Sequence, residues 1–146
     1  DVTIDYIRFD QTDAYLPTGA DADTDGLPDS WEYHHFGEVT AGIANSDDDG
    51  DGRTNLDEYI SNTNPRDATS VLKVGSIQKL GGDLVQVTLL TSAQRRYTLW
   101  KSGDLGLADP WAAVAGPVLG TDGDLVLQDP AAAGPQAFYR VTVSLP

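Results

Sequence analysis

Apolar residues follow three different rhythms along this chain. In residues 1–10, DVTIDYIRFD, Val2, Ile4 and Tyr6 alternate with Asp1, Thr3 and Asp5, the period-two pattern of a half-buried strand. Residues 11–20, QTDAYLPTGA, keep no period and read as a linker. Between 21 and 67 the apolar residues come in short groups, each behind a run of acids. Pro28-Asp29-Ser30 predicts the start of a short helix that runs through Phe36 and stops at Gly37. Thr54 is placed to cap a second helix reaching about Ser61, with Asn64-Pro65 as its stop. From 71 to 144 period two returns in Val71–Ile77, Leu84–Leu90, Arg96–Lys101, Trp111–Val114, Leu125–Gln128 and Ala137–Ser144. Gly-Gly, Gly-Asp, Asp-Pro and Gly-Pro turn signals separate these runs. Short antiparallel strands at this spacing predict a small β-sandwich. Roughly 75 residues make a lean core, so Trp31, Tyr33, Phe36, Leu56 and Tyr59 are expected to pack the helices against it. The predicted fold class is mostly β with a small α part. Residues 1–20 form a strand and linker, 21–67 a loop–helix pair, and 68–146 the sandwich.

The acids that precede each helix repeat one layout. Asp21-Ala-Asp23-Thr-Asp25-Gly26-Leu27-Pro28-Asp29-Ser30-Trp31-Glu32 and Asp47-Asp-Asp49-Gly-Asp51-Gly52-Arg53-Thr54-Asn55-Leu56-Asp57-Glu58 start 26 residues apart. Each has Asp at positions 1, 3 and 5, Gly at 6, Asp or Asn at 9 and Glu at 12, the ligand order of an EF-hand-type calcium loop. Calcium takes about six to eight oxygens, more than a regular helix or strand converges on one point, so a loop must wrap the ion. Asp21, Asp23 and Asp25 would supply side-chain oxygens in the first loop, Leu27 its carbonyl, Asp29 a direct or water-mediated contact, and Glu32 the closing carboxylate. Asp47, Asp49, Asp51, the Arg53 carbonyl, Asn55 and Glu58 would do the same in the second. Gly26 and Gly52 stand where the chain turns sharply. The residues ahead of Asp21 and Asp47 predict no entering helix, and Pro28 lacks the N–H with which paired hands usually bridge their loops. These are expected to be loop-plus-exiting-helix units that brace a structure rather than open as sensors.

Charge sharpens this reading. The net charge is −14, and residues 1–67 carry all of it, with 17 acids against Arg8, Arg53 and Arg66. Residues 68–146 have six acids and six bases. Two bound Ca²⁺ would relieve the repulsion where it is densest. With no basic patch, nucleic acid is excluded as an expected partner, and no apolar run is long enough for membrane insertion. The chain has no Cys and no Met and starts at Asp1, so it is expected to be processed or part of something longer. Weak EF-type sites suit extracellular calcium, and a secreted or bacterial cell-surface location is expected.

Catalysis is not expected. His34 and His35 are the two histidines, adjacent on the short first helix and about 100° apart. Ser30 lies one turn earlier, but helix-surface histidines beside a calcium loop are the plainer reading, and a transition-metal role for His34 with Glu38 is no better supported. Asp83, Asp104, Asp109, Asp122, Asp124 and Asp129 all sit at predicted turns, where Asp is ordinary turn chemistry. Trp100, Trp111, Tyr97 and Tyr139 are a candidate sugar-stacking platform. Against it, Trp100 and Tyr139 occupy core-type strand positions, and Trp111, after Asp109-Pro110, is the best placed for exposure.

The segments DADTDGLPDSWEYHHFG and NSDDDGDGRTNLDEYISNTNPRDATS resemble the thrombospondin type 3-like calcium repeats of secreted bacterial proteins. The segments RRYTLWKSGDLGLADPWAAVAG and LQDPAAAGPQAFYRVTV are similar to the β-sandwich that often follows such repeats. The resemblance spans about residues 21–146 and implies a calcium-rigidified, non-catalytic C-terminal appendage with a structural or attachment role. Such appendages occur on surface adhesins and polysaccharide-degrading enzymes, so a carbohydrate-binding module is an alternative. The opening VTIDYIRFD resembles the last strand of jelly-roll carbohydrate-binding modules. Added to a neighbouring subunit's sheet, that strand would build a filament or surface layer. Dockerins, which bind cohesins, also pair two calcium loops with helices. They typically end the loop in Asp where Glu32 and Glu58 stand here, and Ser30-Trp31 does not match Leu56-Asp57 as their duplicated recognition residues should.

Overall fold

The structure is a computed structural model that describes residues 19–132, 134 and 136–146. The strand expected in residues 1–10 and most of the linker after it lie outside the described residues. Two helices come first, α1 (Asp29–Phe36) and α2 (Asn55–Ser61). Six strands follow: β1 (Val74–Lys79), β2 (Val85–Leu90), β3 (Arg96–Ser102), β4 (Ala112–Leu119), β5 (Asp124–Asp129) and β6 (Phe138–Ser144). They form two three-stranded antiparallel sheets, one in the order β1-β2-β5 and the other β4-β3-β6.

Alternation decides which face of each sheet is dry. Val85, Val87 and Leu89 of β2, Tyr97 and Leu99 of β3, and Leu127 of β5 form one buried cluster, joined at its margins by Val114, Tyr139, Val141 and Val143. Residues of both sheets thus share one apolar core. Burying side chains of this size contributes about 1.5–3 kcal/mol each.

The helices do not share that core. Leu27, Trp31, Ala44 and Tyr59 make a second cluster, edged by Phe36, Leu56, Ile60 and, from the end of the chain, Leu145. Tyr33 was expected in the packing but is 55% exposed. Besides the Leu145 contact, polar groups fix the helical unit to the strands. The buried Arg95, just ahead of β3, donates from Nη2 to Tyr59 O at 2.8 Å and from Nε to Ile60 O at 2.7 Å. Its guanidinium also lies 5.7 Å from the Tyr59 ring centre. The Asn62 amide adds a bond to Ser92 Oγ at 3.2 Å.

Local chemistry sets the boundaries. Gly37 ends α1 with φ 85°, donating its N–H to Tyr33 O. Thr54 caps α2 in a reciprocal capping box with Asp57. That helix stops at Asn62, which takes the left-handed conformation, so Asn64-Pro65 comes too late to be the terminator. The first strand begins at Val74 rather than Val71, because Asp67 gathers the Thr69 N–H, the Thr69 hydroxyl and the Ser70 N–H into a turn. The fourth strand was expected to end at Val114, with Gly116-Pro117 as a turn, yet it runs on to Leu119. It is a sheet edge, where a residue without an N–H is tolerated. Gly116 (φ +95°) makes the run possible, since a Cβ there would strike the Tyr97 carbonyl of the neighbouring strand.

Candidate metal centre

Both acidic loops fold by the same local rules. In the first, the Gly26 N–H donates to Asp21 Oδ2 at 3.0 Å and the Leu27 N–H to Asp25 Oδ1 at 2.9 Å. In the second, the Gly52 N–H donates to Asp47 Oδ2 at 2.9 Å and the Arg53 N–H to Asp51 Oδ1 at 2.7 Å. Position 1 thus ties position 6, and position 5 ties position 7, in each loop. The backbone repeats as well: φ is positive at Thr24 and Gly26, and at the equivalent Gly50 and Gly52. A β-branched residue such as Thr24 rarely accepts that conformation. Its presence shows that the loop, not the residue's own preference, sets the backbone there.

These turns gather the carboxylates. Asp21, Asp23 and Asp25 each place an oxygen within 4.8 Å of the others, and Asp47, Asp49 and Asp51 do likewise. Two aspartate triads are therefore able to hold a metal ion. The position-12 side chains come from the helices behind them. Glu32 and Glu58 are both 0% exposed. Each anchors one oxygen, Glu32 Oε1 accepting from the Gly42 N–H at 3.1 Å and Glu58 Oε1 from the Thr63 hydroxyl at 3.4 Å. Their other oxygens, both Oε2, are buried with no hydrogen-bond partner, as are Asp21 Oδ1, Asp49 Oδ2, Asp51 Oδ2 and Asn55 Oδ1. A buried carboxylate oxygen without a donor is costly, and these belong to the same two loops, although neither Glu32 nor Glu58 joins the aspartates that lie within 4.8 Å of one another.

Electrostatics report the same crowding. Burial, with the negative charges of Asp23, Asp25 and Asp29 adding to it, pushes the Glu32 carboxyl up to about 7. Burial and the charges of Asp49 and Asp51 push Glu58 up to about 7 as well. A cation in each loop would reverse the sign of this field.

The two position-9 residues differ. Asp29 spends Oδ1 on the Ala22 N–H at 2.7 Å. The fully buried Asn55 donates its amide to Ile43 O at 2.9 Å and to Asp48 Oδ1 at 3.2 Å, leaving its carbonyl oxygen unpartnered. Leu27 is buried beneath the first loop and Arg53 is exposed on the second, so a contribution from either would come through its backbone carbonyl.

Sequence spacing did not reveal the strap that joins the loops. Residues 42–46 receive bonds from both sides. Ala44 N donates to Asp25 Oδ2 at 2.8 Å and Gly42 N to Glu32 Oε1, while Asn55 N donates to Ser46 O at 2.7 Å and Leu56 N to Ala44 O at 3.0 Å. Gly42 is bare because a Cβ would meet the Phe36 ring at 2.7 Å. The glycine was the one available signal.

The other candidate residues are placed differently. His35 packs on Trp31 with ring centres 4.6 Å apart, and burial, with a contribution from His34, lowers its pKa to about 4. Asp104, Asp109 and Asp122 accept backbone N–H bonds in turns. Asp129 pairs with Lys101 at 3.0 Å and accepts from the Tyr139 hydroxyl at 2.8 Å. The four-ring platform divides: Tyr97 is core and Tyr139 is turned to Asp129, whereas Trp100 and Trp111 share the outer side of the second sheet with Arg140. Among the described residues no helix is long and apolar enough to cross a membrane. The chain matches no protein-family model, no curated protein and no solved structure.

Proposed function

We propose that each acidic loop binds one Ca²⁺ ion and that the pair braces a secreted, non-catalytic module with a structural or attachment role. The observation that carries this reading is the pair of fully buried glutamates, Glu32 and Glu58, each with an oxygen that lacks a donor and each within the field of its own loop's aspartates. The donors are all hard oxygens, which suit Ca²⁺ or Mg²⁺ rather than a thiolate- or imidazole-seeking metal. A flexible loop of many carboxylates suits the larger ion, whose coordination is irregular and numerous. Asp21, Asp23, Asp25, the Leu27 carbonyl, Asp29 and Glu32 hold one ion. Asp47, Asp49, Asp51, the Arg53 carbonyl, Asn55 and Glu58 hold the other. In this reading the β part is a sandwich, and the loops stiffen its junction with whatever adjoins it.

Thermal unfolding with and without a chelator tests the proposal. At about 100-fold saturation each site adds about 2.7 kcal/mol, so excess EGTA is expected to lower the melting temperature steeply. Asp21→Ala and Asp47→Ala should each remove part of the calcium-dependent increment. An unchanged melting temperature in EGTA would end the calcium reading.

A further inference from the structure

The outer face of the β4-β3-β6 sheet carries a second constellation, independent of the loops. On β3, Arg96, Thr98 and Trp100 alternate with Tyr97 and Leu99, both 0% exposed, and so lie on the side away from the core. On β6, Arg140, Thr142 and Ser144 are exposed, and register sets Trp100 beside Arg140, Thr98 beside Thr142 and Arg96 beside Ser144. Trp111 comes in ahead of β4. The guanidinium of Arg140 lies over both indoles, 4.5 Å from the Trp111 ring centre and 5.7 Å from that of Trp100.

Each ring is itself held. Trp100 Nε1 donates to Thr142 Oγ1 at 2.8 Å. The five-membered ring of Trp111 sits close against Gly106, where a Cβ would stand 2.7 Å from its Nε1.

The charge on this face is anomalous. The chain carries 23 acids and nine bases, yet the outward positions of β3 and β6 hold two arginines and no carboxylate. Asp104 and Asp109, in the loop beside Trp111, direct oxygens into that loop's own backbone N–H groups. Among the described residues Arg140 makes no salt bridge. The guanidinium lies over both indole rings, a cation–π arrangement. Its N–H edge is left to receive an oxyanion in the paired geometry that carboxylate and sulfate share.

We propose that this face binds an acidic polysaccharide, with Arg140 taking a carboxylate or sulfate and Trp100 and Trp111 bordering the sugar rings. Ala113, paired with Trp100 across the strands, is small and exposed, so an extended chain can lie across this face. Arg96 stands four residues along the strand from Trp100, about 13 Å away, and meets a second charge of a repeating polymer. An acidic peptide would instead be drawn to an unpaired strand edge, where main-chain bonds are available. The Thr98 and Thr142 hydroxyls suit sugar hydroxyls.

Affinity electrophoresis in calcium-containing gels tests the proposal, with hyaluronan and chondroitin sulfate as acidic probes and dextran as the neutral one. Retardation by either acidic polymer, with quenching of tryptophan fluorescence, is the expected result. Hyaluronan sufficing identifies the carboxylate, and stronger retention by chondroitin sulfate identifies the sulfate. Arg140→Gln is expected to weaken binding about tenfold or more, and Arg140→Lys by less, since it keeps charge but not the planar fork. Arg140 is exposed, so both variants should melt with the wild type. Equal mobility in all gels, or retardation unchanged in Arg140→Gln, overturns the proposal. Retention displaced equally well by polyglutamate also overturns it, making the face an acidic-peptide surface.

Discussion

Replacing Arg95 with methionine removes the clamp between the last turn of α2 and the strands. Methionine keeps most of the apolar stem that lies along Tyr59, so the loss falls on the guanidinium. Three bonds disappear, two across the junction to Tyr59 O at 2.8 Å and Ile60 O at 2.7 Å and a longer local one to Gln94 O at 3.2 Å. Bonds from a charged donor are worth about 1.5–3 kcal/mol each. Two effects reduce the sum. Tyr59 O keeps a second donor in the Asn62 N–H at 3.3 Å. Burial already penalises the charge, pulling the Arg95 pKa below its ordinary value. A net loss of about 2–3 kcal/mol is expected, or about 5–10 °C in melting temperature for a domain of this size. Urea unfolding in saturating calcium, followed by circular dichroism and tryptophan fluorescence, measures it. Arg95→Lys should fail to restore stability, because an ammonium cannot span two carbonyls as a planar fork does. The reasoning is refuted if Arg95→Met stays within about 0.5 kcal/mol of wild type, the range of an ordinary surface substitution.

Three further outcomes follow from particular contacts. Because residues 42–46 bond to both loops, Glu32→Gln should weaken calcium at the second loop as well as the first, by about fivefold for a coupling near 1 kcal/mol. Calorimetric titration showing an unaltered second site would disprove that linkage. The folded-state pKa of His35 is depressed from 6.5 to about 4, so as pH falls the unfolded chain takes up the proton first. Its contribution is complete above pH 6.5 and is lost between there and about 4. Discounted for partial exposure, that is about 1–2 kcal/mol. Comparing urea unfolding of wild type and His35→Gln at neutral and mildly acid pH isolates it, and identical pH slopes would contradict the assignment. At Gly120 an added Cβ would run into the Ser92 carbonyl and come within 2.9 Å of the Tyr97 ring. Gly120→Ala is therefore expected to cost about 2–3 kcal/mol by overpacking, read as a lower urea midpoint with an unchanged slope.

The helices, their caps at Gly37 and Thr54 and the two acidic triads were legible in the chain because each is decided within about a dozen residues. A side-chain oxygen reaching an N–H five positions on, or a hydroxyl capping its own helix, needs no partner from elsewhere. Strand existence was equally local, since period two shows wherever one face is dry. Tertiary structure decided the rest. Gly116-Pro117 continues a strand instead of turning because β4 lies at an edge. Trp100 faces outward because Tyr97 and Leu99 are the residues that meet the opposite sheet. Arg95 became the anchor of the helical unit because its fork arrives at two carbonyls 35 and 36 positions earlier in the chain. Sequence spacing determines how a loop closes on itself. Which face of a strand is buried depends on what the other sheet brings against it.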